Sequence, residues 1–293
     1  MVRQIPASEL VLNDDKSVYH LGLHPHQIAD DIIVVGDPAR VALISSYFDN
    51  VEHKVQSREF VTHTGTYNGK SITALATGIG TDNIDIVLNE LDALVNIDLE
   101  TRTEKAEKKS LNIVRLGTSG ALQKDIPIDS FVSSAYAFGI DGLLNFYKNN
   151  FSEKYKNIQQ SFLTHTNYPQ EFATPYFVAC DNHLMQTVGK NTISGITATA
   201  SGFYAPQGRS LRLPLAYPEL NEKFRNFTFE NYRLTNFEME TSALYGLSEL
   251  LGHKALTICV IIANRYAGTF SANYKERMKE LIVQTLNRLT SKS

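Results

Sequence analysis

Short apolar runs of strand type recur along this chain of 293 residues, at 31–35, 71–76, 111–116, 131–138, 193–200 and 255–263, and stretches with helical spacing fall between them. Strands that alternate with helices have both faces of their sheet covered, so the pattern predicts an α/β fold. Asn68-Gly69, between strand-like runs at 61–67 and 71–76, is a strong hairpin signal and adds antiparallel character. The expected architecture is a mixed, partly barrel-like central sheet flanked by helices. A chain of this length buries roughly three quarters of its unfolded surface, so one domain over 1–293 needs no staple. Two segments stand apart from it. Residues 1–17 form a polar N-terminal arm, and residues 98–110 are charged without an apolar face, which predicts a solvated extension that carries no chemistry.

Local signals sharpen the helices. Gly36 ends the first strand, Asp37 is a fair N-cap, and Pro38 suits a first helical turn. Ile84, Val87, Leu88, Leu91, Leu94 and Val95 share one helical face, and Met278, Leu281, Ile282, Thr285, Leu286 and Leu289 share another near the end of the chain. A third helix is predicted from Leu244, Leu247, Leu250 and Leu251. The segment Val18-Tyr19-His20-Leu21-Gly22-Leu23 alternates in the manner of a short strand.

Charge decides what the chain does not do in bulk. Lys and Arg number 28 against 31 Asp and Glu, a formal net charge of -3, so nothing draws it to nucleic acid or an anionic membrane. Any anion site must be assembled from individual arginines. Cys180 and Cys259 lie in apolar runs without metal-ligand spacing, and read as buried reduced thiols; no metal site is expected. The N-terminal residues lack an apolar leader core and no stretch approaches a membrane span, which makes the cytoplasm the expected location.

Four stretches carry candidate chemistry. Gly36 to Arg40 leads a strand into a helix N-terminus, where amides point outward and a cation in the first turn suits an anionic ligand; a plain strand-helix turn is the alternative. Arg115 stands in an apolar run, beside Gly117, Thr118 and Ser119, and a buried guanidinium there calls for an anion or a structural ion pair. The loop 201–209 holds Phe203, Gln207 and Arg209, an amide and a five-donor fork able to read a planar base. In Asn236-Phe237-Glu238-Met239-Glu240-Thr241-Ser242-Ala243, extended chain would put Glu238 and Glu240 on one side and Met239 on the other. Those carboxylates are either solvated decoration of a helix start or a ligand for a vicinal diol.

Taken together, five islands resemble the nucleoside phosphorylase family, and within it the uridine phosphorylases: residues 19–23, 36–41, 58–60, 115–121 and 238–243, in family order. The likeness covers most of the chain from Val18 to Leu289, with 98–110 looking like an insertion. It implies that Gly36, Arg40, Arg115 and Thr118 hold phosphate, joined by Arg58 from a neighbouring subunit. Met239 and Glu240 would hold ribose, with Glu238 nearby and His20 donated across the same interface. Phe203, Gln207 and Arg209 would read uracil against Ile262 and Ala263, and Arg115, Arg209 and Glu240 would carry catalysis. The partners implied are a nucleoside and inorganic phosphate as co-substrate, with no cofactor, in a homo-oligomer that is at least a dimer and in the alternative a hexamer. Purine members carry an aspartate where this chain has Asn264, followed by Arg265, which favours uridine; thymidine and deoxyuridine stay open. A purine or broad-specificity phosphorylase, a nucleosidase of the same fold and a catalytically silent nucleoside binder remain as alternatives. A dinucleotide-dependent oxidoreductase lacks its glycine fingerprint here.

Overall fold

The computed structural model describes residues 3–291. Its strand β1 (Asp31–Val35) is buried along its whole length. It stops at Gly36, and Asp37 caps helix α1 (Pro38–Ser45) by accepting from the Ala39 amide at 3.0 Å. An antiparallel trio follows, β2 (Asn50–Ser57), β3 (Phe60–Tyr67) and β4 (Lys70–Ala76). Asn68 and Gly69 both take positive φ, as a two-residue hairpin turn requires. Strand β2 has no counterpart in the sequence reading. It is the outer edge of the sheet, so its run Glu52-His53-Lys54 stays half in solvent and lacks an apolar signature.

Helix α2 (Thr81–Asn96) buries Ile84, Val87, Leu88, Leu91 and Leu94, the face that its spacing predicts, whereas Val95 is only partly buried. The charged stretch that follows is not a featureless extension. It contains a hairpin of β5 (Ile97–Asp98) and β6 (Thr103–Glu104), and the N-terminal arm is tied to it. The Ile5 amide donates to the Arg102 carbonyl at 2.8 Å, and Gln4 bridges to Thr103. Residues 18–23 likewise form a turn rather than a strand, with the Gly22 amide donating to the Val18 carbonyl while Val18, Leu21 and Leu23 point into the core.

The second half of the chain closes the sheet. Its elements are β7 (Asn112–Ala121), β8 (Phe131–Gly139), α3 (Glu153–Thr166), β9 (Tyr176–Ala179), α4 (Asn182–Thr187), β10 (Ile193–Thr199), α5 (Leu220–Asn226), β11 (Thr228–Phe229), β12 (Tyr232–Glu238), α6 (Thr241–Leu251), β13 (Lys254–Asn264), β14 (Thr269–Phe270) and α7 (Tyr274–Thr290). The order β12-β10-β8-β13-β7 turns back on itself, because β12 also pairs antiparallel with β7 through Asn236 with Ala121 and Phe237 with Gly120. The result is a closed five-stranded barrel, continued on one side by β1, β4, β3 and β2. Strand β7 therefore runs through Gly117 to Ala121, beyond where its apolar run ends, since it has partners on both flanks there. Helix α6 is buried from Thr241 through Ser248, although Leu250 is exposed. Helix α7 turns in the six residues its periodicity indicated. Cys259 is buried and Cys180 only half-buried; both are free thiols.

Candidate active site

The seam between β7 and β12 brings three charged side chains out of water. Arg115, Glu238 and Glu240 are 4%, 4% and 3% exposed. The Arg115 guanidinium pairs through Nη2 with Glu240 Oε2 and through Nη1 with Glu238 Oε2 at 3.2 Å. Gly117, two residues along the same face, leaves room for it: a Cβ there would lie 2.4 Å from Arg115 Nη1. Burial alone would depress the Arg115 pKa, but Glu240 first and Glu238 second more than offset it and push it up. Its Nε is buried without a hydrogen-bond partner. The solvated reading of the two acids is thereby ruled out.

The two carboxylates are held differently. Glu238 accepts from Thr199 Oγ1 at 2.6 Å and from the amides of Glu240 and Thr241, both at 2.9 Å, so it is fixed by the start of α6. Glu240 spends one oxygen on the Gly80 amide at 2.8 Å and the other on Arg115. Burial raises its carboxyl above the ordinary range, Arg115 pulls it back and Glu238 pushes it up again. Met239 is half-buried between them.

A cavity of about 610 Å³ opens beside this seam. On one side lie Gly36, Arg40 and Thr118, next to Arg115. Burial pushes the Arg40 pKa down; Asp37 opposes that and Arg115 adds to it, as two cations facing one space must. On the other side Gln207 and Arg209 are already joined, Arg209 Nη1 donating to Gln207 Oε1 at 2.6 Å. The guanidinium lies 3.8 Å from the ring centre of Phe203, and burial followed by the nearby Arg265 lowers its pKa. Ile262 and Ala263 complete the wall.

The cavity also recruits residues that the sequence reading did not assign. Arg265 donates to the Gln207 carbonyl at 2.6 Å and lines the space, and Phe270 and Ile79 stand exposed at its mouth. Arg265 carried a usable signal, a cation directly after the last barrel strand, by the same logic that picks out Arg115. The Gly80 amide had none, because a backbone donor leaves no trace in residue type. Arg58 and His20 do not line this cavity. Arg58 is exposed at φ 52° with its guanidinium 5.0 Å from the Tyr19 ring centre, and His20 Nδ1 is 2.6 Å from Glu90 Oε1. Among the described residues, no three His, Cys, Asp or Glu side chains are grouped to hold a metal ion, and no helix is long and apolar enough to cross a membrane.

A family model described as the phosphorylase superfamily matches residues 30–291. The chain belongs to the phosphorylase superfamily. Among other members, a uridine phosphorylase of Thermococcus kodakarensis is 29% identical over 276 residues, covering 92% of this chain and 86% of that one. A DeoD-type purine nucleoside phosphorylase of Bacillus subtilis is 29% identical over 243 residues, covering 83% and 85%. A solved superfamily structure, a Trypanosoma brucei nucleoside phosphorylase that shows uridine phosphorylase activity, superposes with a TM-score of 0.84 at 28% identity, over 94% of this chain and 99% of that one. The resemblance seen in the five islands thus holds at the level of family and fold.

Proposed function

We propose that this chain is a uridine phosphorylase, which cleaves uridine reversibly with inorganic phosphate to uracil and ribose 1-phosphate. One observation carries the reading: a single cavity is lined by Arg40 and Arg115, by Glu240, which pairs with Arg115, and by the joined Gln207 and Arg209, a cationic, an acidic and an amide-guanidinium station. These match in chemistry a phosphate, a ribose diol and a pyrimidine. The named relatives that act on uridine support it.

The reaction follows from the charges. A phosphate oxygen attacks C1′ as the bond from C1′ to the base nitrogen breaks, and the electron pair leaves with uracil, which then takes a proton. Arg40 and Arg115 hold the nucleophile, with Gly36 and Thr118 beside them, and Glu240 accepts from the ribose hydroxyls to keep C1′ in line. Arg209 is short of counter-charge in the free protein, so negative charge developing on the base is welcome there; such preorganised donors contribute about 3 to 4 kcal/mol each. Gln207 and Arg265 complete that cradle, and Phe203 covers it. Phosphate adds acceptors that let Arg115 be shared between phosphate and Glu240. The reaction needs phosphate as co-substrate and no cofactor.

Asn264 supports a pyrimidine over a purine. Its Nδ2 donates to the carbonyls of Gln123 and Ile126 at 2.8 and 2.9 Å, and its Oδ1 accepts from the amides of Tyr266 and Ala267. The side chain is spent on the scaffold and offers no proton to a base. Arg58 and His20 would complete the phosphate and ribose stations of a second subunit, so the working unit is at least a dimer. The test is release of base from uridine, thymidine, inosine and adenosine, each with and without phosphate. Uridine should react only with phosphate; equal uracil release in phosphate-free buffer would mean a nucleosidase, and faster inosine cleavage a purine enzyme.

A further inference from the structure

A second cavity, of about 430 Å³, lies behind the turn that carries Gln207 and Arg209, and shares no lining residue with the first. The turn is a partition. Gln207 and Arg209 face one space, while Pro206 and Gly208 line the other. Its volume lies within the range of small-molecule sites.

The chemistry of its walls is one-sided. Three aromatic side chains line it: Phe172 packs edge-on against Tyr217 with ring centres 5.2 Å apart, and against Tyr168 at 5.8 Å. The ionisable groups of its lining are the carboxylates Asp141 and Glu171 and the phenols, and the lining contains no lysine, arginine or histidine. Asp141 accepts from Tyr176 Oη and Ser242 Oγ, both at 2.7 Å, and from the Leu143 amide at 2.8 Å, but makes no ion pair among the described residues. Burial pushes its carboxyl above the ordinary range, the three donors only partly offset that, and no cation among the described residues shares the charge. A cation entering beside it would supply what is missing, and aromatic faces favour the same guest.

We propose that this cavity binds a small organic cation, an aromatic body bearing a protonated amine, and that its occupancy is felt at the base-reading turn. The route is short. Asn221, in the cavity wall, donates to the Gln207 carbonyl at 3.0 Å, the same oxygen that Arg265 holds from the other side. Asp141, through Ser242, touches the first turn of α6, which follows Glu240. The coupling to the turn rests on the uridine phosphorylase reading; binding itself does not.

Calorimetry on the full chain without nucleoside tests the binding, using tryptamine, its uncharged analogue tryptophol and the anionic indole-3-acetate. Tryptamine should bind at least about tenfold more tightly than tryptophol, the scale of one desolvated cation contact, and indole-3-acetate should not bind. Glu171→Gln and Phe172→Ala change exposed side chains and should each weaken tryptamine several-fold while keeping the melting temperature. Equal binding of tryptamine and tryptophol would overturn the site's charge selectivity, and undiminished binding in both variants would place the ligand elsewhere. Saturating tryptamine should also shift KM for uridine at least twofold and leave KM for phosphate alone. An unmoved uridine KM with intact binding overturns the coupling only. A chain that cleaves no uridine but still binds tryptamine overturns the catalytic reading and the coupling, and leaves the site standing.

Discussion

Replacing Arg115 by alanine would remove the cation on which the seam between β7 and β12 depends. Glu238 Oε2 lies 3.2 Å from Arg115 Nη1, which at an effective dielectric constant of about 20 corresponds to roughly 5 kcal/mol of Coulomb attraction. Glu240 is paired on the other amine. Part of that attraction repays the burial of the charges, so the expected net loss is about 3 to 5 kcal/mol, the usual result of orphaning a buried partner. The loss depends on pH, with a sign that Glu240 sets. Its carboxyl already lies above the ordinary range, first by burial, and Arg115 is what pulls it down. Without that pull the folded pKa rises further. A carboxyl whose folded pKa exceeds its unfolded one contributes its full stability below the unfolded value and loses it as pH rises through the folded one. The melting-temperature deficit of Arg115→Ala should therefore widen as pH rises above the ordinary carboxylate range, reaching roughly 6 to 15 °C. Phosphorolysis, assayed by uracil release at saturating phosphate, should fall by about two to three orders of magnitude. Adding Glu240→Gln should remove the pH-dependent part of the deficit, leave the part due to Glu238, and restore none of the turnover. Near-wild-type turnover in the single variant, or a deficit that ignores pH, would refute the reasoning.

Two further substitutions probe specificity and assembly. Asn264→Asp would set a carboxylate against the Gln123 and Ile126 carbonyls that now receive the amide; scanning calorimetry should show a loss of about 1 to 3 kcal/mol, with no gain of inosine cleavage. Arg58→Ala and Arg115→Ala should each be inactive alone, yet unfolded and refolded together they should recover on the order of a quarter of wild-type activity, because random pairing of isologous dimers leaves one intact site in each mixed pair. Absence of recovery, with mixed dimers shown to form, would mean that Arg58 does not serve its neighbour.

Most of the architecture was legible in residue pattern because burial enforces pattern. β1, α2 and α7 had to present aliphatic residues at fixed spacing to be covered, and they do. What escaped was whatever tertiary partners impose on an unremarkable sequence. β2 is an edge strand whose polar residues carry no period strong enough to name it, and β7 extends through Gly117 to Ala121 only because β12 and β13 pair with it there. The arm and the 98–110 hairpin found order in each other, a contact across 97 positions that neither segment announces. Among the candidate site residues, Arg115 and Glu240 were visible as charges where charges are costly. Arg265 was visible in principle and the Gly80 amide was not. Arg58 and His20 lie away from the cavity of their own chain; residue pattern alone gives no reason to place them in a site, and only the family resemblance assigns them to a neighbouring subunit.

The closed barrel divides the cavity mechanically. Arg115 and Thr118 on β7, and Glu238 on β12, sit on strands stitched to each other and to their neighbours around a ring, so one cannot shift without carrying the others. Phe203, Gln207 and Arg209 hang from a loop outside that ring, and Phe270 from the short strand β14 at its rim. In the proposed reading, the anvil on which sugar and phosphate would meet is rigid, while the jaw that would grip the base is free to be reshaped. A scaffold of this kind can exchange one nucleobase for another over evolutionary time and keep its ribosyl chemistry untouched, which fits a superfamily whose members are named for both uridine and purine nucleosides.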